Sequence, residues 1–589
     1  MALNLLKEVE LLGGSNHGMI VAAVRLQLSD TYVRERALRE NEKIRINEHN
    51  KDNKNSNSNG SSNAKGKKKK KKSKRNRRNG NLGNFSGVDV HTTTTVKDVE
   101  EENQWKRSCT HLIEGMRVLN IMLAEEEKNK KENNNNQNSD SGRESGGVSG
   151  EESSGGLSFV EERTKVMARR LIQCSIGWVQ SILRGGVEND GVEKEAVLEE
   201  GVEKEKEKGS LKRGQAAMLA IETTLNECQS VLKFDSTNGN TSHHGDGEEE
   251  EEERAALNMD RLRILSMIGD VSIFLHDALQ QQQQCMTSPI PSIVYQILTV
   301  QQSITTSLPE YGGDLHQPPH LPILTDLNSI TAQNWLHIGT FSLISAVQHS
   351  KTISATMNDL DLLRRLASAK NRQGQNALTL KMYDNALDIF SASLNLFHTA
   401  GDNINVGWIK MNIITTMRRM AGGVNTTNTT EIGVASDGEE HAINSEQSSL
   451  YASALELVNG ILNEFSSTKN KTENDSSLIS AAQNVLANLS LSYGTRLRKT
   501  VFTTSSNVCN KQVANVIQRH LELAMRLSRT VLKDDNQILI QGHRQIAIFL
   551  EEQANRMEKL KGSSNGNKKT IELNRELAKR HYAKCKDMS

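Results

Sequence analysis

The chain has 589 residues, which is enough for several domains and a sizeable core, but only 35% of them are apolar, so much of the chain is predicted to lie outside a packed core. Six prolines and an aromatic share of 4% argue against an all-β fold, because strands favour aromatic residues and long helices tolerate few prolines. The 73 Lys and Arg residues nearly balance the 72 Asp and Glu residues, which leaves a net charge of +1. The overall charge therefore does not indicate which kind of partner the protein binds.

The N-terminal segment 1–45 is predicted to be helical. Lys7, Glu8 and Glu10 interrupt the apolar stretch that a signal peptide would need. No run in the sequence approaches the roughly 18 apolar residues of a membrane span. The six cysteines are spread widely and form no C-x-x-C pair, which is typical of reduced thiols. We therefore expect an intracellular protein with no membrane partner.

A basic insert is predicted over 46–100, and its like charges and lack of apolar residues favour disorder. Its basic core comprises Lys67, Lys68, Lys69, Lys70, Lys71, Lys72, Lys74, Arg75, Arg77 and Arg78. Such a run can be gripped by a nuclear import receptor. It can also contact nucleic acid electrostatically and without sequence specificity, since no aromatic residue is available to stack on bases. A neutral, solvated expansion is the third interpretation.

The region 101–287 is predicted to be helical, with disordered inserts at 131–156, 186–209 and 236–254. The charge run 203–209 at the end of the second insert could either extend a helix or stay loose. The inserts are rich in Gly, Ser, Asn or charged residues, which do not form a core. The last insert contains an acidic run, Glu248 to Glu253. We interpret this run as a solubilising linker, and as an alternative it could contact basic partners or the basic insert.

All six prolines fall between Pro289 and Pro322, which predicts a non-helical connector over 288–332. The remaining 333–589 is predicted to be helical-repeat structure with one disordered insert, 422–447. Apolar residues at helical spacing predict helices at 2–40, 101–128, 158–184, 211–234, 261–279, 333–349, 358–379, 381–399, 403–421, 448–465, 476–498, 511–533, 536–560 and 569–587.

A repeat signature is visible in the segment 362–412, which reads as two helices joined by a short turn. Its members are Gly374, Tyr383, Ala386, Phe390 and Ser393. Phe390 follows Ala386 by four residues and Ser393 follows Phe390 by three, which places these three side chains on one helix face. This series resembles the tetratricopeptide repeat, in which small residues let two helices approach and an aromatic side chain fills the gap. The same steps recur at Ala578, Tyr582 and Cys585.

The C-terminal half also resembles the erythroid differentiation-related factor family. The resemblance covers about 360–589 and rests on DLLRRLASAKNRQG, FSASLNLFHTAGDNINVGWIKMNIITTMRRMA, QILIQGHRQIAIFLEEQANRM and NRELAKRHYAKCKDM. It implies a nuclear regulatory scaffold that promotes gene expression, with no catalytic motif. The family's long N-terminal portion has no counterpart in this sequence.

Catalytic motifs are absent from the sequence. It has no G-x-S-x-G, H-E-x-x-H or G-x-G-x-x-G, and the GK pair after Gly60 lacks the spacing and the Ser or Thr of a phosphate loop. His316 and His320 are separated by two prolines, which prevent the helix that would align them on a metal. We expect no enzyme activity, cofactor or metal.

The sequence thus predicts an all-α, tetratricopeptide-like helical-repeat superhelix interrupted by disordered low-complexity inserts. Its predicted role is a non-catalytic protein-binding scaffold, nuclear in location, with the cytoplasm as the alternative. Two other hypotheses remain open: nucleic-acid binding through the basic insert, and a structural subunit of a large cytosolic assembly.

Overall fold

A computed structural model describes most of the residues that the sequence predicts to be helical. The described residues are 20–34, 96–137, 155–184, 200–232, 248–281, 287–306, 326–353, 359–423, 437–466, 472–504, 511–530, 536–560 and 565–588. Throughout these ranges the secondary structure is helical, apart from turns and one isolated bridge between Ser288 and Ile330. The prediction of an all-α helical-repeat fold is confirmed.

Fifteen helices occur in the described ranges. They are α1 (20–34), α2 (Val96–Gln137), α3 (Gly155–Arg184), α4 (Glu200–Leu232), α5 (Glu248–Gln281), α6 (Ser292–Thr306), α7 (Ala332–Ile353), α8 (Leu360–Thr379), α9 (Tyr383–Thr399), α10 (Asn403–Gly423), α11 (Asp437–Ser466), α12 (Glu473–Thr504), α13 (Lys511–Thr530), α14 (Asn536–Leu560) and α15 (Asn565–Met588).

Four helices extend into segments that the sequence predicts to be disordered. The helix α2 continues to Gln137, and α4, α5 and α11 begin at Glu200, Glu248 and Asp437. Three of these extensions add acidic residues at a helix N-terminus, where the partial positive charge of the helix dipole favours carboxylates. Glutamate is also a good helix former. The helices α4, α5 and α11 therefore begin inside segments that the sequence assigns to the inserts.

The predicted connector 288–332 contains the helix α6, so the expectation that this segment is non-helical is wrong. Pro289 and Pro291 precede the first residue of α6, where a fixed φ and a missing N–H cost little. The ends of the segment are joined by backbone hydrogen bonds, from Ser288 N to Ile330 O (3.1 Å) and from Ile330 N to Ser288 O (3.2 Å). Pro289 and Pro291 thus precede a helix rather than prevent one.

The chain divides into two compact units, Met1–Arg365 and Leu366–Ser589, with the division inside α8. In the first unit the helices pack against their neighbours in sequence, α2 on α3, α3 on α4 and α4 on α5, and α5 also packs along α7. The α5–α7 contact is close because two glycines face each other. A Cβ atom at Gly339 would lie 3.1 Å from the backbone oxygen of Gly269.

In the second unit the helices form two rows. Each helix from α9 to α15 packs on the next, and in addition α10 packs on α12 and α12 on α14. We call α10, α12, α14 and the part of α8 from Leu366 the even row, and α9, α11, α13 and α15 the odd row. This arrangement of successive helix pairs is the architecture of helical-repeat proteins.

The turns and helix starts of the second unit are specified locally. Lys381 (φ 61°) and Gly401 (φ 67°) adopt left-handed conformations in the turns on either side of α9, which lets the chain reverse within three residues. Asp402 Oδ1 accepts a hydrogen bond from Asn405 N (3.2 Å) at the start of α10. Thr472 and Asp475 form reciprocal side-chain to backbone hydrogen bonds at the start of α12.

Candidate protein-binding face

The repeat signature of α8 and α9 forms a closely packed helix pair. A Cβ atom at Gly374 would lie 2.6 Å from Phe390 Cε1, so only glycine admits the ring at this distance. Ala386, Phe390 and Ser393 are fully buried, and Ser393 Oγ donates a hydrogen bond to Ala367 O (2.8 Å). Tyr383 packs on the edge of the same cluster. The structure thus brings the five signature residues into one contact region.

The second signature set lies on α15 and differs in its aromatic member. Ala578 is buried, but Tyr582 is 39% exposed and its hydroxyl donates to Glu551 Oε2 (3.2 Å) on α14. Cys585 Sγ donates to Ile540 O (3.4 Å). Tyr582 therefore lies at the edge of the α14–α15 contact, whereas Phe390 fills the core of its own pair. The predicted contact residues Lys67 to Arg78 lie outside the described residues.

Polar side chains join neighbouring helices of the even row. Asn412 Nδ2 on α10 donates to Asn371 Oδ1 on α8 (2.8 Å), and Arg496 on α12 donates to the carbonyl of Ala421 on α10. Arg498 on α12 donates to both carboxylate oxygens of Glu552 on α14, each at 2.7 Å. The even row is therefore held together by polar contacts as well as by apolar packing.

Replacing Arg498 with alanine is expected to destabilise the second unit. The Arg498 side chain is only 8% exposed, and its removal leaves Glu552 and Gln545 without their donor. The loss of charged hydrogen bonds at a buried position should lower the free energy of unfolding by about 1.5–3 kcal/mol, measured in urea. Arg580→Ala is the matched control, because Arg580 forms an exposed i,i+4 pair with Glu576 that should contribute at most about 0.5 kcal/mol. Equal effects of the two changes would contradict the interpretation.

Three arginines gather where α10, α11 and α12 meet. This arginine cluster consists of Arg418, Arg419 and Arg496, and it lies beside Tyr451, which stacks on Tyr493 with ring centroids 5.0 Å apart. Burial, and then the charge of Arg419, lowers the pKa of Arg418. No carboxylate among the described residues forms an ion pair with Arg418 or Arg419. Arg418 and Arg419 can therefore pair with an anionic group from outside.

Metal-binding and nucleophilic groups were compared across the described residues. These residues contain no group of three or more His, Cys, Asp or Glu that could hold a metal ion. Burial raises the pKa of Cys109, Cys174 and Cys228, so these thiols are poor nucleophiles at neutral pH. Among the same residues, no helix is long and apolar enough to cross a membrane.

The arginine cluster is the feature that sequence reasoning missed. Arg418 and Arg419 are adjacent in the sequence, but an isolated Arg pair on a helix is ordinary surface composition. Arg496 lies far along the chain, and its approach depends on α12 packing on α10. One feature of the sequence could have indicated the cluster. No acidic residue lies within four positions of Arg418 or Arg419, so neither arginine can form an ion pair with its own helix.

The chain was compared with protein-family models and with the curated proteins. A scan against protein-family models finds no match, and a search of the curated proteins finds none either. The functional assignment therefore has to rest on the residues and the fold.

Proposed function

We propose that this chain is a non-catalytic protein-binding scaffold of the tetratricopeptide type. The observation that carries the proposal is the two-row packing of α8 to α15, in which the even row is continuous from helix to helix. In helical-repeat proteins such a row presents an extended surface to a partner. The register of Gly374 against Phe390 favours the tetratricopeptide type over other helix-pair repeats.

The partner class that we propose is a protein with an acidic segment. Arg418 and Arg419 have no ion-pair partner among the described residues, and Arg496 is engaged with a backbone carbonyl. Arginine pairs with carboxylates through two parallel hydrogen bonds, and partial burial strengthens this contact. An acidic peptide laid across α10 and α12 would supply the missing carboxylates.

A nuclear regulatory role is proposed from two features of the sequence. The resemblance of 360–589 to the erythroid differentiation-related factor family favours a regulator of gene expression. The basic run between Lys67 and Arg78 provides a segment that an import receptor could bind. A cytoplasmic subunit of a large assembly is the alternative, because helical repeats also build such complexes.

Affinity capture of the tagged full chain from its own cells tests these proposals together. Wild type is compared with a deletion of 62–79 and with the Arg418→Gln/Arg419→Gln variant. If the even row binds the partner, the deletion should retain it, and the double substitution should reduce its recovery at least about fivefold, since each lost charged contact costs about 1.5–3 kcal/mol. Arg575→Gln/Arg580→Gln is the control, because these exposed arginines are already paired with Glu558 and Glu576.

The outcomes separate the three hypotheses. Transcription or chromatin proteins recovered from nuclear extract by wild type and by the deletion would support the regulatory scaffold. Recovery of cytosolic assembly subunits alone would overturn the nuclear assignment. Partners that respond equally to the two double substitutions would show that the arginine cluster is not their contact.

Direct nucleic-acid binding is the competing function, and the basic run between Lys67 and Arg78 is the observation that favours it. Such binding should weaken steeply with salt and should be lost on deletion of 62–79. The scaffold proposal expects relocation of the deleted protein to the cytoplasm, with its protein partners retained. Fluorescence anisotropy with a labelled duplex at two salt concentrations distinguishes the two.

A further inference from the structure

The C-terminal helix α15 is joined to α14 by a pair of histidines. His543 on α14 and His581 on α15 lie with ring centroids 4.9 Å apart, and their Nδ1 atoms are separated by 2.8 Å. On its other side, His543 Nε2 lies 3.2 Å from a guanidinium nitrogen of Arg529 on α13. His543 is only 2% exposed. One buried imidazole therefore links three consecutive helices.

The proton positions in this chain of contacts follow from the donor capacity of arginine. Arg529 can only donate, so His543 Nε2 must accept and carries no proton. In neutral His543 the proton is then on Nδ1, which donates to His581 Nδ1. His581 Nδ1 must be unprotonated to accept this hydrogen bond. The observed geometry thus requires both imidazoles to be neutral.

Protonation of either ring would break this arrangement. A proton on His543 Nε2 would face the Arg529 guanidinium, and a proton on His581 Nδ1 would face the N–H of His543. The surrounding charges are mostly positive, since Arg529 on α13 and Lys584 on α15 act on both rings. Among the described residues, Glu522 on α13 is the acidic group that favours the charged form of His581. The site therefore resists a second positive charge.

We propose that His543 and His581 form an acid-sensitive latch, which holds α15 on α14 at neutral pH and releases it in mildly acidic solution. Release would remove α15 from the face of α14 that it covers, where Cys585 now bonds to Ile540 O and Tyr582 to Glu551. The terminal helix pair would thereby expose a surface that is covered at neutral pH. This latch is independent of the proposed scaffold function.

The pH range in which the latch weakens follows from the direction of the pKa shifts of His543 and His581. Burial, and then the charges of His581, Arg529 and Lys584, lowers the pKa of His543 to about 4, and burial also lowers that of His581. A histidine whose pKa is lower in the folded state adds stability above its ordinary pKa of 6.5, and this stability is lost as the pH falls toward the folded value. The latch should thus weaken between pH 6.5 and pH 4.

Peptide-resolved hydrogen exchange of the full chain at pH 7.5 and pH 5.0 tests the latch, with rates corrected for the intrinsic pH dependence of exchange. Protection of 565–588 should fall about tenfold at the lower pH in the wild type, relative to protection of α9. His543→Gln should reduce this loss, because glutamine can accept from Arg529 and donate to His581 but does not titrate. His398→Gln is the control, since His398 is exposed on α9.

The experiment has to measure protection of α15 itself rather than the stability of the whole chain. Burial also lowers the pKa of His349 in the first unit and of His520 on α13, so acid should weaken other parts of the chain too. Unchanged protection of α15 in the wild type at pH 5.0 would overturn the proposal, and so would a full acid response in His543→Gln. If His543→Gln already lacks protection of α15 at pH 7.5, His581→Asn serves as the second variant, because its amide oxygen can accept from His543. If the latch is correct, protection of α15 in His581→Asn should then be the same at pH 5.0 as at pH 7.5.

Discussion

Replacing Ala386 with arginine should unfold the helix pair α8–α9. Ala386 is fully buried on the face of α9 that carries Phe390, where no space exists for a long side chain. Overpacking costs about 1–3 kcal/mol, and an unpaired buried charge adds to this cost, so the free energy of unfolding should fall by about 3 kcal/mol or more. Circular dichroism at 222 nm during urea titration measures the loss.

Asn385→Arg is the matched control for this change. Asn385 is the preceding residue of α9 and is exposed, so an arginine there should alter the free energy of unfolding by less than about 0.5 kcal/mol. The repeat register assigned to Ala386, Phe390 and Ser393 is wrong if Ala386→Arg retains the helicity and unfolding midpoint of the wild type.

Replacing Gly339 with valine should separate α7 from α5 in the first unit. Its Cβ would lie 2.9 Å from Ile273 Cγ1 and 3.1 Å from the backbone oxygen of Gly269, and the backbone cannot move without shifting α5. We expect a loss of about 2–3 kcal/mol in the free energy of unfolding, because the helices must part to admit the side chain. Thermal unfolding of the full chain should show an earlier transition.

Replacing Gly209 with alanine, in the same unit, is expected to raise the free energy of unfolding rather than lower it. Nothing lies within 4 Å of a Cβ atom at Gly209, which is inside α4. The substitution should stabilise the helix by about 0.5–1 kcal/mol, because alanine loses less backbone entropy than glycine in a helix. A destabilisation by Gly209→Ala as large as that by Gly339→Val would contradict the close contact of α5 and α7 as the cause.

The sequence predicted those features that depend on neighbours within one or two helices. The apolar period predicted the helices, and the spacing of Gly374, Ala386 and Phe390 anticipated their contact because the turn between α8 and α9 is short. The helix starts at Glu200, Glu248 and Asp437 were harder to predict, since they lie inside low-complexity segments. Charged and polar residues are typical of disordered inserts, and acidic residues also favour the first turn of a helix, so composition alone does not fix where such a helix begins.

The polar contacts of the second unit could not be predicted in the same way. Arg498 meets Glu552, and His543 meets His581, only because helices distant in sequence pack side by side. A shift of one residue along either helix would separate these groups. Apolar periodicity predicts each helix but does not fix how two helices are aligned with each other. The arginine cluster depends on the same packing of α10 with α12.

The mainly neighbour-to-neighbour packing of the helices also bears on how this chain could acquire its long polar segments. Successive helices pack against each other, and these contacts do not depend on the length of the chain that joins the helices. The entropy of closing a flexible loop grows only with the logarithm of its length, so doubling a connection costs about 0.6 kcal/mol. Expansion of a low-complexity tract at 185–199, 233–247 or 424–436 would therefore be nearly neutral for folding, and selection against such growth would be weak.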